Sequence, residues 1–97
     1  MSLLDKHQLD NQLKELVGWE FNNNQIEKVY KFKDFIEAFS FVNVVALESE
    51  KMDHHPDILI FSWNKVKISI STHSEGGVTE KDFELARKIE LRLSQKV

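Results

Sequence analysis

The sequence predicts an α+β fold in the order α-β-β-α-β-β-α, with a four-stranded antiparallel sheet and three helices packed on one of its faces. Three observations carry this. Two pairs of segments rich in β-branched and aromatic residues are each joined by a short polar turn. Three other segments space their apolar residues as helices do. In Val66, Ile68 and Ile70, apolar residues alternate with Lys67, Ser69 and Ser71, the pattern of a sheet with one covered and one wet face.

The first helix has Ser2 and Asp5 at capping-box spacing, sets Leu9, Leu13, Leu16 and Val17 on one face, and stops at Gly18. Trp19 to Phe21 and Ile26 to Phe32 follow as strands. Between them, Asn22, Asn23 and Asn24 tolerate the positive φ of a hairpin turn.

Asp34 and Glu37 cap a second helix that runs to about Lys51. Its apolar residues exceed what one face can hold, so it should be buried on more than one side. Phe35, Phe39, Val42 and Ala46, flanked by Ala38 and Val45, form the stripe expected against the sheet. Ile36, Leu47 and Val44 lie off that stripe around Ser40 and Asn43. Such a strip would be exposed in a monomer, and it is expected to meet the same helix of another subunit across a symmetry axis.

Pro56 breaks the chain after this helix. Ile58 to Trp63 and Val66 to Thr72 form the second hairpin about Asn64-Lys65. Gly76-Gly77 makes a turn, and Thr79 with Asp82 caps a last helix striped by Phe83, Ala86, Ile89, Leu93 and Val97.

At 97 residues, without repeats or a Gly/Ser linker, the chain is expected to be one domain over 1–97. A net charge of −3 offers no basic footprint for direct nucleic-acid binding. No apolar run approaches the roughly 20 residues that span a bilayer, and the start has no signal-peptide pattern. With no cysteine, disulfides, thiol nucleophiles and thiolate metal sites are excluded. A cytoplasmic location fits these features.

Of four histidines, three cluster by context. His54 and His55 precede Pro56, and His73 follows the last strand. If the second hairpin turns about Asn64-Lys65, a rise of ~3.4 Å per residue brings His55 and His73 to the same end of it. Three readings compete: surface histidines without a task, imidazole ligands of a metal, or acid–base groups whose ordinary pKa lies near neutrality. Spacing alone leaves all three open.

The surrounding residues decide between them. Glu50-Lys51-Met52-Asp53-His54-His55-Pro56-Asp57, Trp63-Asn64-Lys65-Val66, Ser71-Thr72-His73 and the run from Gly76 to Asp82 resemble the signature of the pterin-4a-carbinolamine dehydratase family. Gly18-Trp19 and Phe32-Lys33-Asp34-Phe35 extend the likeness upstream. Ile58 departs from it, since many members carry an aromatic residue there.

The resemblance implies dehydration of a 4a-hydroxytetrahydropterin to the quinonoid dihydropterin during tetrahydrobiopterin recycling, with no cofactor and no metal. It carries the catalytic role to His54, His55 and His73, and substrate contact to Asp53, His54, His55, Ser71, Thr72, His73 and Ser74. The division into acid, base and orienter stays open. Trp19 has two readings, a ring stacked on the pterin or a core residue at a strand start. Asp82 is a helix cap with a second reading as a site residue, and Glu50 and Asp57 are solvated carboxylates or orienters of a histidine.

The resemblance also implies a homotetramer built around the helix over 34–51. It brings an alternative role too: some members are non-catalytic partners, as dimerisation cofactors of a homeodomain transcription factor or regulators of hydroxylase expression. No partner motif in this chain points to a transcription factor or a hydroxylase.

Overall fold

The computed structural model describes residues 2–94. Its elements are α1 (Lys6–Leu13), β1 (Glu20–Asn22), β2 (Gln25–Lys31), α2 (Phe35–Met52), β3 (Asp57–Phe61), β4 (Lys65–Ile70) and α3 (Glu80–Ser94), with a 3-10 turn at His73–Glu75 before α3. All neighbouring strands are antiparallel, in the order β1-β2-β4-β3. Ile26, Tyr30, Val66, Ile68 and Ile70 point to the helix side and are buried. On the opposite face Val29 and Leu59 stay exposed, so the alternation read in β4 separates a covered face from an open one. Val97, the last member of the predicted α3 stripe, lies outside the described residues.

In α1 and at the second hairpin the chain departs from the sequence expectation. The capping box of α1 is Asp5 with Gln8, one turn later than Ser2 with Asp5, and each side chain accepts the other's backbone N–H. The helix ends at Leu13, so Leu16 is buried from the following turn while Val17 is exposed. At the second hairpin, Phe61 pairs with Lys65, and the loop is Ser62-Trp63-Asn64 rather than Asn64-Lys65. Ser62 and Trp63 both adopt positive φ there. Asn64 explains the shift: its side-chain amide donates to the Phe32 carbonyl at 2.9 Å and its own carbonyl accepts the Phe32 N–H at 2.8 Å, anchoring the loop to the end of β2. The first hairpin turns as expected, with Asn23 and Asn24 both at positive φ.

In α2 the Asp34 carboxylate accepts the Glu37 N–H at 2.8 Å. The buried face is Ala38, Phe41, Val45, Glu48 and Ser49, while Phe35, Phe39 and Ala46 are exposed, so the predicted core stripe is rotated. A helix apolar nearly all round has no dominant face, and its neighbours choose one. Phe41 enters an aromatic cluster with Tyr30 and Phe32, at centroid distances of 4.6 and 5.0 Å, and Arg92 of α3 pairs with Glu48 at 2.5 Å. Ile36 and Leu47 remain exposed, as the second strip requires.

A second polar stitch ties α3 to the sheet. Glu90 Oε2 accepts from the Trp19 indole at 3.1 Å, from Lys28 at 2.9 Å and from the Tyr30 hydroxyl. Burial raises the Glu90 carboxyl, but these hydrogen bonds outweigh it and hold the group below the usual carboxylate range.

Candidate active site

Two chain crossings build the candidate site at one end of the β3–β4 hairpin. On the first, α2 closes at Asp53 in the left-handed conformation (φ 51°), with the His54 N–H bonded back to the Ser49 carbonyl at 3.0 Å. That sharp close throws His54, His55 and Pro56 away from the helix axis and into β3. On the second, β4 continues into Thr72, whose N–H bonds to the Gly77 carbonyl at 2.7 Å, and the 3-10 turn carries His73 outward. Gly76 takes positive φ to close that turn. The last paired residues are Asp57 and Ser69.

A cleft of about 450 Å³ opens there, lined by Asp53, His54, His55, Pro56, Asp57, Ser71, Thr72, His73, Ser74 and Lys81. That volume falls in the range of small-molecule sites, roughly 300–1,000 Å³. All three predicted histidines line it, as do Asp53, Ser71, Thr72 and Ser74. Lys81 also lines it, a position the sequence reading did not single out. It lies in the first turn of α3 beside Asp82, so the cap of that helix was the available signal.

The histidines sit in different surroundings. His54 is only 9% exposed, so it is largely buried. Its Nε2 lies 2.6 Å from Oδ1 of Asp82, which is fully buried. The other Asp82 oxygen accepts the Thr79 N–H at 2.8 Å and the Thr72 hydroxyl at 2.9 Å. Asp82 therefore fills both of its sequence readings, capping α3 and holding a cleft histidine. His55 is exposed and meets Glu50 at 2.5 Å, Nε2 to Oε2, so Glu50 is the carboxylate in reach of it. His73 is exposed and has no side-chain partner among the described residues.

Trp19 does not reach this cleft. It is buried, its N–H is committed to Glu90, and its ring lines a separate hollow between α1 and β1 with Leu9, Leu13 and Phe21. Among the described residues, no group of three histidine or carboxylate side chains stands at metal-holding geometry. No described helix is long and apolar enough to cross a membrane.

Chemically, the cleft offers one oriented, largely buried imidazole, two exposed ones, carboxylates at Asp53 and Asp57, and a cation at Lys81. Such a set can take a proton from one atom of a small polar molecule and give one to another.

Known proteins agree with this architecture. The family profile described as pterin 4 alpha carbinolamine dehydratase matches residues 2–91. A protein of Sulfolobus acidocaldarius, named provisionally for that activity, is 49% identical over 86 residues, covering 89% of this chain and 93% of its own. A Prochlorococcus marinus protein with the same provisional name is 48% identical over 90 residues, covering 93% and 94%. The crystal structure of a Brucella melitensis protein described as a transcriptional coactivator/pterin dehydratase superposes with a TM-score of 0.87. It is 39% identical, over 93% of this chain and 97% of that one. With its profile matched over nearly its whole length and its hairpin, histidines and α3 cap arranged as described, this chain belongs to the pterin-4α-carbinolamine dehydratase family.

Proposed function

We propose that this protein dehydrates a 4a-hydroxytetrahydropterin by histidine acid–base catalysis. A base takes the proton from N5, the C4a–O bond breaks, and an acid protonates the departing hydroxide to water. The electron pair left at N5 closes the C4a=N5 bond of the quinonoid dihydropterin. Nothing is oxidised or reduced, and the balance calls for no cofactor. His54, His55 and His73 are the groups assigned to the proton transfers. Asp53, Ser71, Thr72 and Ser74 are assigned to substrate contact.

The observation that carries this reading is that the three histidines line one cleft, two of them with a carboxylate on Nε2. Each positioned acid or base is typically worth about 10²–10⁴ in rate. The test is turnover of a 4a-hydroxytetrahydropterin by purified protein, followed as the quinonoid product appears. A rate no faster than spontaneous dehydration overturns the proposal.

Two observations favour a second reading, a binding module. The Brucella melitensis relative is described as a coactivator as well as a dehydratase, and α2 here leaves Ile36 and Leu47 exposed. On the first reading that strip joins copies of this chain into a homo-oligomer. On the second it is where a helical partner would sit. A protein that binds such a partner but shows no turnover supports the second.

A further inference from the structure

We propose that Asp82 is a positioning residue that fixes the proton of neutral His54 on Nε2, leaving Nδ1 as the nitrogen that exchanges a proton in the cleft. The inference rests on reading the cleft as a site of proton transfer, and it follows from following each hydrogen along one buried chain of groups. The Thr79 N–H can only donate, and it points at Asp82 Oδ2 at 2.8 Å. The Thr72 hydroxyl donates its one hydrogen to the same oxygen at 2.9 Å. At its 2.7 Å contact with the Thr79 hydroxyl, Thr72 must therefore be the acceptor, so Thr79 donates. The Thr79 oxygen is left to accept the Lys81 N–H at 3.3 Å. Every hydrogen in the chain then has one direction, and all of them run toward Asp82.

An ionised carboxylate only accepts. The hydrogen in the 2.6 Å contact between Oδ1 and His54 therefore belongs to Nε2. Asp82 sits in the first turn of α3, where the helix dipole also suits a negative group. His54 is buried, yet no buried side-chain nitrogen or oxygen among the described residues lacks a partner. Among the described residues no group bonds to His54 Nδ1, so this atom is at the accessible surface, on a ring that lines the cleft. Whether the imidazole acts as base or acid, its proton moves at Nδ1.

The test is nitrogen-15 NMR of the histidine-labelled full chain, at a pH above the titration of the rings. The expected signature for His54 is a protonated, pyrrole-like Nε2 and a pyridine-like Nδ1. The opposite pattern, with the proton on Nδ1, overturns the inference without any variant. Asp82→Asn sharpens the test. Thr79 N–H and Thr72 O–H require the amide oxygen in the Oδ2 position, which turns the amide N–H₂ toward Nε2 and forces the proton to Nδ1. That variant should show the inverted tautomer. Its kcat should fall by about 10²–10⁴-fold, the range that a positioned acid or base contributes, with KM changing far less. An Asp82→Asn protein that keeps the wild-type tautomer, or keeps kcat within a few-fold, overturns the role. If the variant fails to fold, the wild-type spectrum alone decides. Absence of turnover in the wild type would overturn the dehydratase reading and leave the tautomer result standing.

Discussion

Glu50 and His55 lie five residues apart and meet beside the end of α2, Oε2 to Nε2 at 2.5 Å, with both side chains well exposed. An exposed pair of this kind contributes about 0–1 kcal/mol to stability. Its consequence is orientation of the imidazole rather than support of the fold.

Substitutions there should separate activity from stability. His55→Ala is expected to lower turnover by about 10²–10⁴-fold while shifting unfolding free energy by no more than about 1 kcal/mol. Glu50→Gln should lower turnover less and leave stability equally untouched. Steady-state kinetics beside denaturant titration checks both, and wild-type turnover in His55→Ala would remove His55 from the site.

His54 should behave differently from His55 and His73. Replacing it by Ala strands one oxygen of a fully buried carboxylate, so a stability loss of about 1–3 kcal/mol is expected along with the lost turnover. His73→Ala should lower turnover with the fold intact. If the three act as one unit, pairs of these substitutions should cost less than the product of the single effects. A multiplicative double variant would argue against a shared site.

Turnover is expected to be indifferent to chelators. The prediction comes from chemistry that needs only proton transfers. Activity lost with chelator and restored by added zinc would defeat it, as would stoichiometric metal in elemental analysis of active protein.

The exposed strip on α2 should govern assembly. Wild-type protein is expected to sediment as a homo-oligomer, and Leu47→Glu should dissociate it without unfolding, because Leu47 lies outside its own subunit's core. A wild-type monomer at micromolar concentration rules this out.

Acid should loosen the α3 stitch. The Glu90 carboxyl lies below its ordinary value of about 4.3, so its contribution is complete above that value and is lost as pH falls through the lower folded value. Glu48 titrates in the same sense, because the Arg92 hydrogen bond holds it down. Glu90→Gln should therefore flatten the decline in melting temperature below about pH 4.3. An unchanged acid slope would show that Glu90 carries none of it.

Much of this protein was legible in its sequence, and particular residues explain where legibility stopped. Paired asparagines announced the first hairpin because their side chains tolerate positive φ, and Asp34 announced α2 because an N-cap acts locally. The second hairpin misled because its turn places Ser62 and Trp63 at positive φ, which composition does not suggest, while Asn64 acts through Phe32 far away in sequence. The rotated face of α2 was hidden for the same reason: Arg92 and Tyr30 choose it, and neither is local. The three histidines were readable as a set from hairpin geometry, and their line-up in one cleft does not depend on the loop being placed correctly. Their unequal burial was not readable, because it depends on Asp82 reaching across from α3.

The double duty of Asp82 also limits how this chain can change. The carboxylate that starts the last helix is the one that grips His54, so most replacements there would weaken the fold as they free the imidazole, with asparagine, which keeps the capping oxygen, as the exception. His55 and His73 carry no such obligation, being exposed and unattached to the core. On the proposed reading, a lineage shedding the reaction while keeping the scaffold for binding alone would lose those two residues first, and the His54–Asp82 pair would persist as part of the fold.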